Sequence, residues 1–180
     1  MQIQGPNGRV VEVDDDNRLK AFAVSESEDK AINKQGGTHS IYFTVTPAGA
    51  DDYFFYFENT GQSDLFLTDI RASSSVATTL FYEFVSGVPT YVTGTDAQAT
   101  NRNLGSARAL DAVIKFDTNI TGLTNEGVLF FEECANANTR YKLSTTSNII
   151  VPQGKAVAFR REAATGAIEC VVSVVDGSAS

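Results

Sequence analysis

Apolar and polar residues alternate along much of this chain with the two-residue period of a β-strand. Residues 41–45 place Ile, Phe and Val at alternate positions, which predicts a strand over residues 40–46 with one buried face. Residues 53–57 are instead a continuous aromatic run, which is typical of a strand that is covered on both faces. These segments predict a packed β-core that is rich in aromatic side chains.

The same pattern predicts about ten strands separated by turn residues. Further strands are predicted at residues 65–70, 80–85, 91–93, 109–116, 127–132, 140–143, 148–151, 155–162 and 167–175. Turn residues at 86–89 and 165–166 predict two hairpins, and residues 94–103 form the longest predicted loop. Strands at this spacing indicate an all-β, antiparallel β-sandwich that is jelly-roll-like, although an immunoglobulin-like strand order also fits.

The N-terminal segment has a weaker pattern than the rest of the chain. Residues 9–13 and 19–24 predict two short strands around an acidic turn. A Ser followed three residues later by a Glu is a capping-box pattern, which predicts a short helix over residues 26–34. The glycine pair that follows marks the boundary between an N-terminal arm, residues 1–36, and a β-sandwich domain, residues 37–180.

The composition fits one folded domain and limits its partners. The chain has 180 residues, of which 42% are hydrophobic, and this is enough for one core. Asp and Glu number 22 against 14 Lys and Arg, so the net charge of −8 repels phosphate backbones and anionic membranes. We therefore expect no nucleic-acid or membrane partner. The polar N-terminus lacks the apolar run of a signal peptide, which predicts a protein made in the cytoplasm without an export signal.

The sequence offers little equipment for catalysis or metal binding. His39 is the only histidine and no GxSxG pattern accompanies it, so we expect it to be a surface or turn residue. One histidine and two distant cysteines cannot form a zinc site. Cys134 and Cys170 are expected to be buried free thiols, with a disulfide as the open alternative. We expect no cofactor, no metal ion and no enzymatic activity.

Clustered carboxylates do not change that expectation. The acidic turn at residues 14–17 departs from a calcium-binding loop because Arg18 stands at the third ligand position. It is interpreted as a solvated turn, and so is the Asp pair at residues 51–52. Glu132 and Glu133 are neighbours on a predicted strand and therefore point to opposite faces, where they cannot flank one glycosidic bond.

A pair of arginines ends an apolar strand near the C-terminus. Because neighbouring residues on a strand face opposite sides, one of Arg160 and Arg161 can pair with a carboxylate across a subunit contact. A solvated strand end is the alternative interpretation of this pair. The predicted residues for contact with a shell or a neighbouring subunit combine the pair with apolar residues of the arm: Val10, Val11, Val13, Leu19, Phe22, Arg160 and Arg161.

Three segments resemble small virion proteins of tailed bacteriophages. Residues 17–24 (Asn-Arg-Leu-Lys-Ala-Phe-Ala-Val) follow a short strand and an acidic turn, as at the start of such proteins. Residues 54–65 resemble their apolar strand followed by an Asn and then by an Asp-Leu pair. Residues 150–154 resemble their late Pro-x-Gly turn, which precedes the closing hairpin.

The resemblance implies a virion structural protein of the capsid decoration (cement) or head-fibre-base type. Such a protein would be a homo-oligomer, most simply a trimer, bound to the major capsid protein on the capsid surface and made in the host cytoplasm. Residues 1–36 would then grip the shell or a neighbouring subunit, and residues 37–180 would form the oligomer. A tail-fibre or tail-adaptor component is the alternative. A carbohydrate-binding module is the alternative of another class. The 6 Tyr favour it, but the chain has no Trp to stack on a sugar ring.

Overall fold

The computed structural model describes residues 2–4, 10–13, 19–20, 28–143, 149–162 and 166–177. The helix in this part of the chain is α1 (Glu28–Lys34). The strands are β1 (Gln2–Gln4), β2 (Val10–Val13), β3 (Leu19–Lys20), β4 (Thr38–Val45), β5 (Tyr53–Asn59), β6 (Leu65–Ser74), β7 (Thr78–Tyr91), β8 (Thr95–Asp96), β9 (Ala99–Asn101), β10 (Ala112–Cys134), β11 (Arg140–Leu143), β12 (Ile149–Val151), β13 (Ala156–Arg161) and β14 (Ile168–Asp176).

Two antiparallel sheets pack face to face, which confirms the predicted all-β sandwich. The six-stranded sheet has the strand order β11-β6-β14-β4-β9, and β12 also pairs with β6. The five-stranded sheet has the order β5-β13-β7-β10-β8, and β10 additionally pairs with β5. A small third sheet has the order β1-β2-β3. From β4 to β7 successive strands alternate between the two large sheets, so these neighbours in sequence face each other across the core instead of pairing.

Aromatic rings connect the two large sheets at the centre of the core. Phe43 of β4 stacks on Phe55 of β5 with ring centres 4.6 Å apart. Phe159 of β13 lies at the same 4.6 Å from Phe55 and from Tyr82 of β7. These four side chains are at most 2% exposed, and each contributes about 1.5–3 kcal/mol of transfer free energy by its burial. The predicted two-sided burial of the aromatic run is confirmed, since residues 54–57 are all buried.

The strands β7 and β10 extend as a two-stranded ribbon that curls over the outer face of the five-stranded sheet. Ile120 of β10 pairs with Tyr53 of β5 and also with Tyr91 of β7. This double pairing brings the far end of the ribbon back to β5. A second and smaller core lies between the ribbon and the sheet, and its buried members are Tyr56, Val85, Ile120, Ala156 and Ala158.

The ribbon corrects two predictions made from the sequence. Residues 86–89 are not a hairpin turn, because β7 continues through them as one strand. The two strands predicted at residues 109–116 and 127–132 both fall on the single 23-residue strand β10. Gly87 and Gly122 have φ angles of 97° and 77°, a backbone conformation that favours glycine. These glycines therefore bend the ribbon instead of ending its strands.

Alanine at Gly87 or at Gly122 is expected to destabilise this bend. A β-carbon at Gly87 would lie 2.4 Å from the carbonyl oxygen of Gly122, and one at Gly122 would lie 2.5 Å from that of Val88. We expect each variant to lose about 1–3 kcal/mol in the free energy of unfolding, measured by urea denaturation. Gly127→Ala, also on β10, is the matched control, because its β-carbon would meet nothing within 4 Å. An equal loss in the control would contradict this account of the bend.

Two other predicted connections differ in the structure. The predicted loop at residues 94–103 contains β8, which pairs with β10, and β9, which pairs with β4. This segment therefore joins the two sheets along one side of the sandwich. The predicted final hairpin is wrong, because β13 belongs to the five-stranded sheet and β14 to the six-stranded sheet. The chain crosses from one sheet to the other at this point and does not turn back within one sheet.

The predicted helix is confirmed as α1, and hydrogen bonds fasten its C-terminal end to the sandwich. The side-chain amide of Asn101 donates to the carbonyl of Gly36 at 2.8 Å, and that of Asn103 donates to the carbonyl of Lys34 at 3.0 Å. Gly36 has a φ of 75°, as is typical of a glycine that ends a helix. The helix is thus held by the sandwich, although the sequence pattern assigned it to the arm.

The small sheet accounts for the two strands that were predicted in the arm. β2 and β3 lie within the predicted strands at residues 9–13 and 19–24. Residues 10–12 of β2 pair with residues 2–4 of β1, and residues 12–13 pair with β3. The acidic turn predicted at residues 14–17 lies outside the described residues.

The prediction of two buried free thiols is confirmed for Cys134 and Cys170. Burial raises the pKa of the Cys134 thiol to about 11 and also raises the pKa of the Cys170 thiol. Because the thiolate is the reactive form of cysteine, both side chains behave as core residues. As for membrane spans, none of the described helical residues forms a helix of the length and apolar character that crossing a bilayer requires.

Candidate protein-docking surface

His39 lies inside the sandwich, so the prediction of a surface or turn residue is wrong. Its side chain is completely buried on β4. The ring Nε2 lies 3.2 Å from the carbonyl oxygen of Arg108 and 3.3 Å from the side-chain nitrogen of Asn101. Across the described ranges, no three side chains of His, Cys, Asp or Glu are placed to hold one metal ion together. His39 therefore helps to hold the segment that carries Asn101 and Arg108.

Arg161 is completely buried, so a solvated strand end is the wrong interpretation for this residue. Its guanidinium donates to the carbonyl oxygens of Gly166 at 3.0 Å, Pro47 at 3.2 Å and Gly49 at 3.1 Å. Burial lowers the pKa of Arg161, and the nearby Asp52 carboxylate opposes this effect. The side chain connects two loops at one end of the sandwich and has no exposed surface for a subunit contact.

Arg160 points to the opposite face, as the strand alternation predicts, and its carboxylate partners belong to the same chain. Its Nε and Nη2 donate to Glu83 Oε1 at 3.1 and 2.9 Å, and Nη1 pairs with Asp51. Tyr53 donates its hydroxyl to Glu83 Oε2 at 2.5 Å, and burial followed by this bond raises the pKa of Tyr53. The guanidinium lies 4.3 Å from the centre of the Phe81 ring. This cluster, in which Glu83 is completely buried, fixes β5, β7 and β13 together on the outer face of the five-stranded sheet.

The other predicted contact residues lie in the small sheet or outside the described residues. Val10, Val11 and Val13 lie on β2, and Leu19 lies on β3. Phe22 lies outside the described residues. The structure therefore places the arm residues and the arginine pair in different sheets, and it brings together a surface that the sequence did not indicate.

That surface is the side of the sandwich where both large sheets end, and we call it the open edge. It consists of residues 127–134 of β10 together with β11 and β12. Within the described ranges, residues 127–134 pair only with β7, while β11 and β12 pair only with β6. Each sheet thus has backbone donors and acceptors on its outer side at this edge. Unpaired edges of this kind are where another chain can add a strand.

An apolar cleft of about 290 Å³ opens between the two sheets at the open edge. Its lining comes from both sheets: Phe84, Leu129, Ile150, Val151, Pro152, Lys155, Ala156 and Val157. Leu129 of β10 is 43% exposed and Ile150 of β12 is 55% exposed. Phe131, also on β10, is 65% exposed. Exposed apolar side chains grouped at an unpaired sheet edge are typical of a protein-binding surface.

Two of the three strands at the open edge, β10 and β11, carry charges of opposite sign. Residues 121–134 contain three Glu and no Lys or Arg, whereas β11 carries Arg140 and Lys142 and no carboxylate. Glu132 has a raised pKa, chiefly because it is partly buried, although a hydrogen bond from Tyr82 at 3.4 Å opposes that effect. The β10 edge is therefore acidic and the β11 edge is basic.

Sequence reasoning missed the open edge because residues 127–132 have the pattern of an ordinary buried strand. One signal was available in the sequence. A run of four apolar residues at 128–131 departs from the alternation of a strand with one buried face, and it is followed at once by Glu132 and Glu133. Apolar residues on both faces next to charges are compatible with an exposed edge strand.

Comparisons with known proteins identify no relative of this chain. No protein-family model matches it, and neither a curated protein sequence nor a solved structure does. The chain's own residues, and chiefly the open edge, are therefore the evidence for its function.

Proposed function

We propose that this protein is a virion structural protein, and specifically a capsid decoration protein that binds the major capsid shell and stabilises it. The open edge is the observation that carries the proposal. It combines three strands that are each paired on one side only, exposed apolar side chains and charge, which are the components of a surface that binds protein. The assembly that we propose is a virion, because residues 17–24, 54–65 and 150–154 resemble segments of tailed-phage virion proteins.

The interior of the sandwich suits a rigid building block. The aromatic core, the buried Arg161 and the Arg160–Glu83 pair fix both sheets and the loops at one end. Such a block can transmit force between the proteins that it contacts without rearranging its own fold. In this proposal the N-terminal strands attach to the major capsid protein, and the open edge serves contacts between proteins on the capsid surface.

Attachment to shells tests the proposal. Full-length protein is mixed with capsids of the source virus that lack it, and binding is measured by co-sedimentation. We expect binding to saturate at a fixed ratio to the major capsid protein and to raise the temperature at which the shells open. Protein that stays in the supernatant at every concentration would contradict the proposal.

A deletion variant tests the proposed role of the arm in the same assay. Removing residues 1–27 takes away β1, β2 and β3 but keeps α1, because α1 is hydrogen-bonded to the sandwich through Asn101 and Asn103. We expect the variant to unfold at nearly the same temperature as the full chain and to lose most of its binding to shells. Undiminished binding would show that the arm is not the anchor.

A further inference from the structure

We propose that the open edge binds a second copy of this chain, with β10 of each copy pairing with β11 and β12 of the other. The inference names a partner for the surface on which the proposed function rests. It is nevertheless testable without any particle, because it predicts the mass of the isolated protein. Failure to bind shells and failure to dimerise are therefore separate results.

The arrangement of the two edges suits a twofold pairing. The connection between β10 and β11 crosses from one sheet to the other within residues 135–139, where Asn138 has a φ of 59° and its amide donates to the Ser74 carbonyl at 2.7 Å. The edge of β10 therefore lies beside the edge of β11, one on each sheet. A twofold axis parallel to the strands places the five-stranded sheet of one copy in line with the six-stranded sheet of the other. Each copy then gives and receives the same contact, as a twofold interface requires.

Charge complementarity favours pairing of β10 with β11 of the second copy over pairing of β10 with β10 of the second copy. Pairing of β10 with itself would set two acidic edges against each other, and facing like charges destabilise a strand pair. Pairing with β11 instead brings the acidic β10 edge towards Arg140 and Lys142. Within one chain Arg140 bonds Glu169 at 2.6 Å and Lys142 lies 3.7 Å from Asp69. The Arg140–Glu169 pair is exposed and contributes little to stability, and Lys142 is itself 60% exposed.

The apolar cleft provides the hydrophobic surface that the contact between the two copies would bury. Leu129 and Ile150 stand on opposite sides of the cleft, one on each sheet, and both are substantially exposed in a single chain. The twofold arrangement sets the clefts of the two copies against each other, so that these side chains meet their counterparts. Removing this apolar surface from water favours association.

A hydrogen-bonded ladder needs two sheets that lie nearly in line. The twofold axis provides this alignment, whereas a threefold ring would make the sheets meet at a steep angle and break the ladder. The dimer therefore differs from the trimer that the virion resemblance implies. A basic peptide of another protein is the rival occupant of the acidic β10 edge, and it predicts an isolated chain that is monomeric.

The test is sedimentation equilibrium of the full-length protein and of two charge-reversed variants. One variant carries Glu133→Lys on β10, and the other carries Arg140→Glu and Lys142→Glu on β11. The wild type is expected to have twice the chain mass of 19.3 kDa. Each variant alone places like charges at both contacts, so its dimer dissociation constant should rise by about tenfold or more.

An equimolar mixture of the two variants identifies the pairing. The mixed dimer has two contacts. In one, the β10 strand that carries Glu133→Lys meets the β11 strand that carries Arg140→Glu and Lys142→Glu, so opposite charges face each other. In the other, both strands retain the wild-type charges. The dissociation constant should therefore return close to that of the wild type. Arg102→Glu, an exposed charge reversal next to β9 at the opposite end of the six-stranded sheet from β11, is the matched control and should leave the dissociation constant unchanged. A monomeric wild type, a trimeric wild type, or a mixture that stays monomeric would each overturn the proposal.

Discussion

Replacing Arg161 with methionine is expected to lower the free energy of unfolding by about 3–5 kcal/mol, which makes it one of the most damaging single substitutions in the chain. The side chain is completely buried and bonds the carbonyl oxygens of Pro47, Gly49 and Gly166. Methionine fills much of the same volume but donates no hydrogen bond, so the buried carbonyl of Pro47 and the partly buried carbonyls of Gly49 and Gly166 lose their donor. Urea denaturation followed by circular dichroism measures the loss.

Arg71→Met is the matched control for this substitution. Arg71 is exposed and pairs with Asp69 at 2.8 Å, and an exposed pair contributes at most about 1 kcal/mol. The free energy of unfolding of Arg161→Lys should lie between those of wild type and Arg161→Met, because a single ammonium group cannot donate to the carbonyls of both loops as the planar guanidinium does. If Arg161→Met were as stable as the control, the buried guanidinium would not hold the loops.

Replacing Glu83 with alanine is expected to have an effect of similar size, about 3–5 kcal/mol, because it breaks the ion pair of a completely buried carboxylate with Arg160 and leaves the Tyr53 hydroxyl without its acceptor. Glu83 is completely buried and accepts hydrogen bonds from Tyr53 and Arg160. Without Glu83, the Arg160 guanidinium still contacts the Phe81 ring and still pairs with the exposed carboxylate of Asp51. Thermal and urea unfolding measure the loss.

A double-mutant cycle separates the Glu83–Arg160 interaction from the cost of the cavity. Glu83→Leu combined with Arg160→Met removes both charges. Its loss in the free energy of unfolding should be smaller, by about 0.5–3 kcal/mol, than the sum of the losses of the two single variants. Asp51→Asn is the control for the exposed end of the cluster. It keeps a residue that tolerates the φ of 61° at this position, and it should cost less than about 1 kcal/mol. Additive losses would show that the two charges act independently.

The local patterns in the sequence were sufficient for the class of fold. The alternation at residues 40–46 and the aromatic run at residues 53–57 predicted strands that the structure confirms as β4 and β5. The capping-box pattern predicted α1 at nearly its observed position. These predictions succeeded because each depends on side chains within one element and on which of its faces is buried.

The connections were harder to predict, because they depend on contacts between distant residues. Pro and Gly at residues 86–89 have the composition of a turn, yet Gly87 only bends β7 where it approaches Gly122 on β10. Likewise, nothing local shows that β13 and β14 join different sheets. The burial of His39 and Arg161 also escaped prediction, since the carbonyl oxygens near them come from residues as distant as 108 and 47.

The open edge could be predicted in part. The apolar run at residues 128–131 was predicted correctly as a strand, but its lack of a second neighbour depends on the strand order, which one sequence does not reveal. The basic strand β11 and the cleft beside Ile150 become meaningful only when both sheets end on the same side. For this reason the sequence pointed to the arm and the arginine pair, whereas the contact surface that we propose lies on β10, β11 and β12.

Electron cryo-microscopy of particles purified from the source of this chain tests the central claim most directly. The account predicts density for the sandwich at symmetry-related positions on the outside of the shell, with residues 127–134 and 140–143 buried in contacts between proteins. Particles that lack the chain, or that carry it with the open edge facing solvent at every position, would contradict the account.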